Sequence, residues 1–596
     1  MKVIRNIFAV LAALTMMSCV EQVDDTGFTP ETPEISFGEE SLSVEKNGGE
    51  LTVMLNSNLP WRIKSSASWV TPSVTYASEG CEIVLAIQKN RLRESRTATL
   101  TAYVTEDAKA SLTVVQDPAD ASESITYHIK TDGDPLSDGG SWETATTLAT
   151  ALYNAGDGDV LLLAAGTYAP AALLTGGKEE KEKTFEIHSN FTMEGGYPAD
   201  ASTGAVVDPA ANETVLSGVI NAGTNAYHAM VVTAPASDDM KVVLRNLTIS
   251  GGATHTVHEE KILTIGDSSF DHSVAGGMYI GSGCKVEMDN CRVTGNNGFN
   301  TAGIHILQYA DVVMRRCDII GNTATGNGGG VWNQGAVLRM YDCNISDNQA
   351  HLGAGLYSID HKATKCKSVN RLYNCTVSGN RCKQYGGGSY LRARTDAVFV
   401  NCTFTGNVAG QKGGGIMVNG ETGSVNVWCV LINSTVTGNK NEGESKYGAG
   451  LFQHNTLSSM VNYNSIISGN VAGDTASDIE KDASVSDAIP SYRSVVGTSV
   501  TDETATAISG LTFNASSMLG TFDLYGSSRT KCFPLTGSDN PAVTGGYAPQ
   551  VLVTMFTDYA PFDADWYVEV EPAMLALDQT GASREGTASI GSCLSK

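Results

Sequence analysis

The sequence predicts an all-β protein in two parts, an N-terminal Ig-like antiparallel β-sandwich followed by a long solenoid of stacked strands. Three observations carry that reading. A phrase, Asn-Cys-x-Φ-x-Gly-Asn with Φ aliphatic or aromatic, recurs through the middle of the chain. When its copies are aligned, side chains of one kind fall into columns. Residues 34–117 lack the phrase and show short alternating runs with few glycines. Repeats of about 20–50 residues mark a solenoid, because one unit cannot bury its apolar face alone.

The chain has 596 residues and a formal net charge of −25. That balance argues against nucleic acid, whose binding needs clustered Lys and Arg. It would also repel an anionic polysaccharide unless a local basic patch intervened. Lys2 and Arg5 precede an apolar run from Ile7 to Met17, too short to span a bilayer, which reads as a signal peptide over residues 1–18. The run ends in Leu14-Thr15-Met16-Met17-Ser18-Cys19, which resembles a bacterial lipobox. The resemblance implies that Cys19 carries lipid. Val20-Glu21-Gln22-Val23-Asp24-Asp25 comes next, similar to the acidic export signals of Bacteroidota surface lipoproteins. Residues 19–33 are therefore expected to be a flexible acidic tether on an outer-membrane lipoprotein facing outward.

Residues 34–117 form the next segment. Ser41-Leu42-Ser43-Val44 and Leu51-Thr52-Val53-Met54-Leu55 flank the turn signal Lys46-Asn47-Gly48-Gly49. Alternation continues in Glu82 to Ile87, Ala98 to Ala102 and Ser111 to Val115. Short strands at such spacing suggest an antiparallel sandwich. Asn58-Leu59-Pro60-Trp61-Arg62-Ile63, then Ser68-Trp69-Val70-Thr71-Pro72, then Val115-Gln116-Asp117 resemble a BACON domain. That family is named for a proposed carbohydrate-binding role, so Trp61 and Trp69 are either sugar platforms or core; the spacer reading with both in the core is favoured. Residues 118–124 form a linker.

The phrase itself appears at Asn290-Cys291, Arg316-Cys317, Asp342-Cys343, Asn374-Cys375 and Asn401-Cys402, and with Ser for Cys at Asn433-Ser434 and Asn464-Ser465. The Cys position and the residue two further on share one strand face: Cys291/Val293, Cys317/Ile319, Cys343/Ile345, Cys375/Val377 and Cys402/Phe404. Three residues before the Cys stand Met288, Met314, Met340, Leu372 and Phe399. Two buried columns three residues apart require a bend, and Asn before the Cys suits one because it tolerates left-handed backbone. The cysteines read as a buried thiol stack, since free Cys packs as a small apolar residue. No Cys-x-x-Cys pair supports zinc. Cys532 with Cys593 is a possible bridge.

This pattern resembles the right-handed parallel β-helix of the pectin-lyase superfamily. Gly139-Gly140-Ser141-Trp142, Asp159 to Tyr168 and Gly195-Gly196-Tyr197-Pro198 match its N-terminal entry; Leu577-Asp578, Arg584 and Ile590-Gly591 match its ending, with Ser589 where Asp is usual. The expected divisions are entry coils at 125–240, regular single-stranded coils at 241–475, and irregular C-terminal coils with a cap at 476–596.

The Gly-rich strand of each coil offers the functional candidates. Its alternate columns are Met278, Ile304, Val331 and Leu356, and beside them Tyr279, His305, Trp332, Tyr357 and Tyr390. Parity places the aromatic column outward, since the residues two further on include Gln334, Arg392, Asn419 and His454. An outward aromatic file is a sugar platform or simply a stack that stabilises the sheet. Insertions come directly after this strand at Ile359 to Lys367 and at Gly420 to Ser424. Proteins of the superfamily often cleave acidic polysaccharide. His305, Asp360 and His361 with Arg392 or Arg394 are the best catalytic constellation, a weak one. The expected function is non-catalytic glycan binding, with a polysaccharide lyase or glycoside hydrolase as the alternative and an adhesin-like structural role as a second. No cofactor or metal is expected; Ca²⁺ enters only under the lyase alternative.

Overall fold

The computed structural model describes all residues except 1–30, 256–261, 422–426, 445–446, 503–511, 558–569 and 595–596. The expected signal peptide, Cys19 and most of the expected acidic tether lie outside the described residues. The chain divides into two units, one holding residues up to Asn90 with Ser95–Asp117, the other Arg91–Glu94 with Pro118 onward.

The first unit is a sandwich of a four-stranded and a five-stranded sheet. Its core strands alternate as the sequence does: in Trp61–Ser65 the first and third residues are buried, and Cys81–Ile87 buries Ile83, Leu85 and Ile87. Trp61 is 1% and Trp69 7% exposed, so both indoles belong to the core. The Trp61 indole N–H donates to the Glu79 carbonyl at 2.9 Å, and the Arg96 guanidinium covers Trp69 at 4.4 Å.

The second unit is a solenoid of parallel coils; between Asn296 and Asn439 successive coils lie 26 to 32 residues apart along the chain, and an earlier coil is longer, Val242 pairing with Val286. Three sheets build it: a long one of 23 strands with two strands from each coil, a ten-stranded one built from the Gly-rich segments, and one of eight very short strands that begins only at Asn297. The sequence columns are in register. Met288, Met314, Met340, Leu372, Phe399 and Leu431 pair across neighbouring coils, as do Val293, Ile319, Ile345, Val377, Phe404 and Val436. Both columns fill one continuous lumen together with the cysteines.

The bend expected before each Cys is present. Asn246, Asn290, Arg316, Asp342, Asn374, Asn401, Asn433 and Asn464 all adopt φ between 48° and 56°. Five stacked thiols, Cys291 to Cys402, are buried and free. Cys343 donates to the Tyr341 carbonyl at 3.2 Å, and where Ser434 replaces Cys its hydroxyl donates to the Ile432 carbonyl at 3.0 Å. The last Asn of the phrase forms a ladder of its own inside the coil. The side-chain amide of Asn296 donates to Asn322 Oδ1 at 3.0 Å, and the chain of amides continues through Asn348, Asn380, Asn407 and Asn439 to Asn470. Asp478 closes it, accepting from both the backbone N–H and the amide of Asn470 at 2.8 Å. Burial pushes the Asp478 carboxyl up, against the pull of those two donors.

The C-terminal segment departs from the expected arrangement. The last parallel rung is Ser491–Val496. Most of the described chain beyond this rung lies along the side of the solenoid instead of extending the stack. Helices Pro549–Thr557 and Pro572–Leu575 bring Leu552, Phe556 and Leu575 against Val398, Val400, Val430, Ile432 and Val461. These valines and isoleucines point away from the lumen, so the long sheet has an apolar outer face there that needs cover. Buried polar contacts hold the strap: Thr376 Oγ1 donates to the Lys531 carbonyl at 2.6 Å, and Thr403 Oγ1 to Gln579 Oε1 at 2.6 Å. Cys532 and Cys593 are bridged within it.

Candidate functional site

The aromatic column lies on the Gly-rich sheet, and strand parity sets its direction. Met278, Ile304, Val331 and Leu356 face the lumen, while Tyr279, His305, Trp332 and Tyr357 occupy the opposite face. In register the outward column runs Glu186, Val231, Tyr279, His305, Trp332, Tyr357, Tyr390, Met417, Phe452 and Glu480. Glycines precede each strand because the coils come close there: a Cβ on Gly355 would sit 2.3 Å from the Gly388 carbonyl oxygen.

The column is not the exposed platform that the sequence suggests. Tyr279 and Tyr390 are 3% exposed, His305 2% and Tyr357 1%; only Trp332 is half-buried. The ring faces are occupied by one another. Tyr279 stacks on His305 at 5.0 Å and His305 on Trp332 at 4.6 Å, while Tyr357 and Tyr390 lie tilted at 5.6 Å. Their edges are covered by Leu352, Ile359 and Tyr385, and nearer the N terminus by Leu263, Ile265 and Phe270. The column is a second apolar core outside the lumen. His305 is part of it: burial pushes its imidazole down to about 3, while Gln334 Oε1, 2.9 Å from Nε2, acts the other way. A neutral ring clamped between two aromatics is poorly placed for proton transfer.

Polar groups gather where the strands run into the inserted turns. Arg392 and Asn419 stand in register on adjacent coils. Arg392 Nη1 donates to the Tyr357 hydroxyl at 3.2 Å and its Nε pairs with Glu421; the Asn419 amide donates to the Tyr390 hydroxyl at 2.9 Å. Asn455, one coil on, donates to Asn419 Oδ1 at 3.1 Å. On the other side Arg394 Nε lies 3.4 Å from Asp360. Ala393 and Arg394 are consecutive non-glycine residues at φ 24° and 40°, a backbone held under strain, as functional loops often are. His361 turns into its own insertion, its Nδ1 2.9 Å from Thr364 Oγ1.

The five catalytic candidates therefore divide. Asp360, Arg392 and Arg394 share one polar fringe with His361 at its border, and His305 is sealed in the aromatic core. Burial raises the Asp360 carboxyl, with Arg394 opposing, and burial lowers His361. Burial alone would lower Arg392, but Tyr357, Tyr390 and Glu421 outweigh it and the guanidinium is held firmly charged. Among the described residues no three His, Cys, Asp or Glu side chains are grouped to hold a metal ion. Asn419 and Glu421 complete the fringe, and neither is among the sequence candidates. Asn419 was legible as a polar residue two positions beyond the aromatic column; Glu421 sits in an insertion with no repeat to align it.

Residues 252–428 match the family model for a right handed beta helix region, and residues 34–119 match that of a viral BACON domain. Among solved structures, the pectate lyase Pel9A is 12% identical over 80% of this chain and 97% of its own, with a TM-score of 0.42. A rhamnogalacturonan lyase is 11% identical over 58% of this chain and 74% of its own, with a TM-score of 0.26. A protein from Bacteroides thetaiotaomicron, solved by NMR, is 18% identical over 16% of this chain and 95% of its own, with a TM-score of 0.11. No curated protein sequence matches the chain.

Proposed function

We propose that this right-handed parallel β-helix protein with an N-terminal BACON-type domain is a surface lipoprotein that binds carbohydrate without cleaving it. The glycan lies across the polar fringe of the Gly-rich sheet, and lipid on Cys19 holds the chain at the outer membrane. One observation carries the binding reading. Asp360, Arg392, Arg394, Asn419 and Glu421 converge from neighbouring coils, presenting donors and acceptors at the spacing of stacked strands. Charged and amide groups held on a rigid scaffold suit hydroxyl-rich ligands.

The same geometry speaks against catalysis. Each carboxylate is tied to a guanidinium, Asp360 to Arg394 and Glu421 to Arg392. A lyase base must surrender its charge, and Arg392 is pushed the other way. The second reading, a polysaccharide lyase or hydrolase, is favoured by one feature: Asp360 is raised by burial, as a general acid would be.

Glycan-array binding by wild type and by an Arg392→Ala/Asn419→Ala variant tests the first reading. Loss of binding in the variant is expected; equal binding by both proteins overturns the assignment of the fringe. Release of unsaturated or reducing oligosaccharides by wild type would establish the second reading instead. For the anchor, Cys19→Ala should move the protein from the membrane fraction to the soluble one.

A further inference from the structure

Away from the Gly-rich sheet, a cavity of about 290 Å³ opens on the outer face of the long sheet near its C-terminal end. It is lined by Trp428, Thr456, Ser459 and Val461 together with the loop that carries Ser486 and Asp487. Trp428 and Ser459 are register partners on adjacent coils. Their neighbours Cys429 and Met460 face the lumen, so the indole and the hydroxyl both point outward. Trp428 is half-buried, packed on its inner side against the apolar patch that the C-terminal strap covers. The loop is braced from below: Lys481 Nζ donates to the carbonyls of Ser486 and Asp487, each at 2.8 Å. Ser486 Oγ donates to Asp487 Oδ1 at 3.1 Å, and Asp487 is otherwise exposed.

We infer that this cavity is a binding site for one neutral pyranose unit of a glycan, separate from the fringe of the Gly-rich sheet. The chemistry and the size agree. An aromatic face beside hydroxyls and one carboxylate matches a sugar ring, whose C–H face is apolar and whose edge carries vicinal hydroxyls that a carboxylate accepts in pairs. Sites that engulf a drug-sized molecule measure ~300–1,000 Å³, so this one takes a single ring and leaves the rest of the chain in solvent. Asp487 and the net charge of −25 disfavour an anionic sugar. The cavity shares the carbohydrate reading of the protein but stands on different residues.

The test is ligand-observed saturation-transfer NMR on the full chain. The probes are gluco-, manno-, galacto- and xylo-configured neutral hexasaccharides, with polygalacturonate as the anionic control. At least one neutral probe is expected to receive saturation, and Trp428→Ala and Asp487→Asn should each weaken its affinity tenfold or more. Asp487 is exposed, so its substitution leaves folding intact and keeps the test decisive if Trp428→Ala misfolds. In an Arg392→Ala/Asn419→Ala background, which removes the fringe, saturation from the cavity should persist and should fall away when Asp487→Asn is added, which separates the two sites. No saturation of any neutral probe, or binding undiminished in Asp487→Asn, overturns the inference. Binding lost only in the Arg392→Ala/Asn419→Ala protein assigns the glycan to the fringe and overturns it too.

Discussion

The amide ladder makes a directional prediction that can be worked from distances. Asn380 is fully buried. Its amide donates to the Ile345 carbonyl and to Asn407 Oδ1, both at 2.9 Å, and its Oδ1 accepts from the Asn348 backbone at 3.1 Å and amide at 3.0 Å. Asn380→Ala removes these four bonds and leaves the Asn348 N–H without an acceptor. At about 1 kcal/mol net for each bond and ~1–3 kcal/mol for the orphaned donor, the loss is about 5–7 kcal/mol. Asn380→Asp is isosteric yet should be worse at neutral pH, because carboxylate oxygens would then face the Ile345 carbonyl and Asn407 Oδ1 in a buried site. Such a buried carboxyl has a raised folded pKa. Its protonated form, which can donate, restores stability as pH falls, so the gap from wild type should narrow toward pH 4. At the end of the ladder only acceptors are needed, so Asp478→Asn should cost no more than about 1 kcal/mol. Coils depend on their nearest neighbours, so the damage should be local. Hydrogen exchange should therefore show lost protection in the coils around residues 348–407, beside a lowered melting temperature. Wild-type stability in Asn380→Asp at pH 7, or a larger loss in Asp478→Asn than in Asn380→Ala, would refute the polarity argument.

Burial lowers His305 to about 3 and His228 to about 4, so the unfolded chain takes up protons first as pH drops. Stability is full above the ordinary histidine range near pH 6.5 and falls between there and pH 3, by several kcal/mol in order of magnitude; a melting temperature that stays flat over that range contradicts it. Cys343→Ser should be tolerated within about 1 kcal/mol, because Ser434 and Ser465 already fill the same column with equivalent bonds; collapse of the variant in chemical denaturation would argue against a packing role for the thiols. Arg584 is buried among the carbonyls of Leu577, Ser589, Gly591 and Ser592, and burial pulls its guanidinium down to about 10. Ser589→Asp places a carboxylate where Arg584 now meets a hydroxyl at 2.8 Å and should raise stability by about 1–3 kcal/mol, read as a higher melting temperature.

Much of the solenoid was legible because its physics repeats. A side chain that must face the lumen in one coil must do so in the next, so Met288, Met314 and Met340 announce a column before any coordinate is known. The left-handed bend was readable from Asn before each Cys, although Arg316 and Asp342 take the same conformation without the residue that signals it. The second Asn of the phrase was equally visible, but nothing local distinguishes an amide that turns the chain from one that bonds across coils.

What repeats cannot reveal is cover. Strand parity settled that Tyr357 and Tyr390 leave the lumen, yet whether such a ring meets solvent depends on residues outside its own strand. Leu352 and Tyr385 arrive from the preceding turns, and Leu263 and Phe270 from the hairpin Ile262–Ile265 and Ser268–Asp271, which belongs to one coil alone. The strap is a stronger case: Thr376 meets Lys531 155 residues away, and the segment that brings it carries no period to align. An apolar outer column is thus a demand for a partner, and in this fold the partner was elsewhere in the same chain. The groups proposed here to bind ligand lie where cover stops, at the inserted turns bearing Asp360, Arg394 and Glu421 and in the open cavity beside Trp428. For a solenoid of this kind, interruptions of the repeat are therefore a better place to seek a ligand than the most regular outward column.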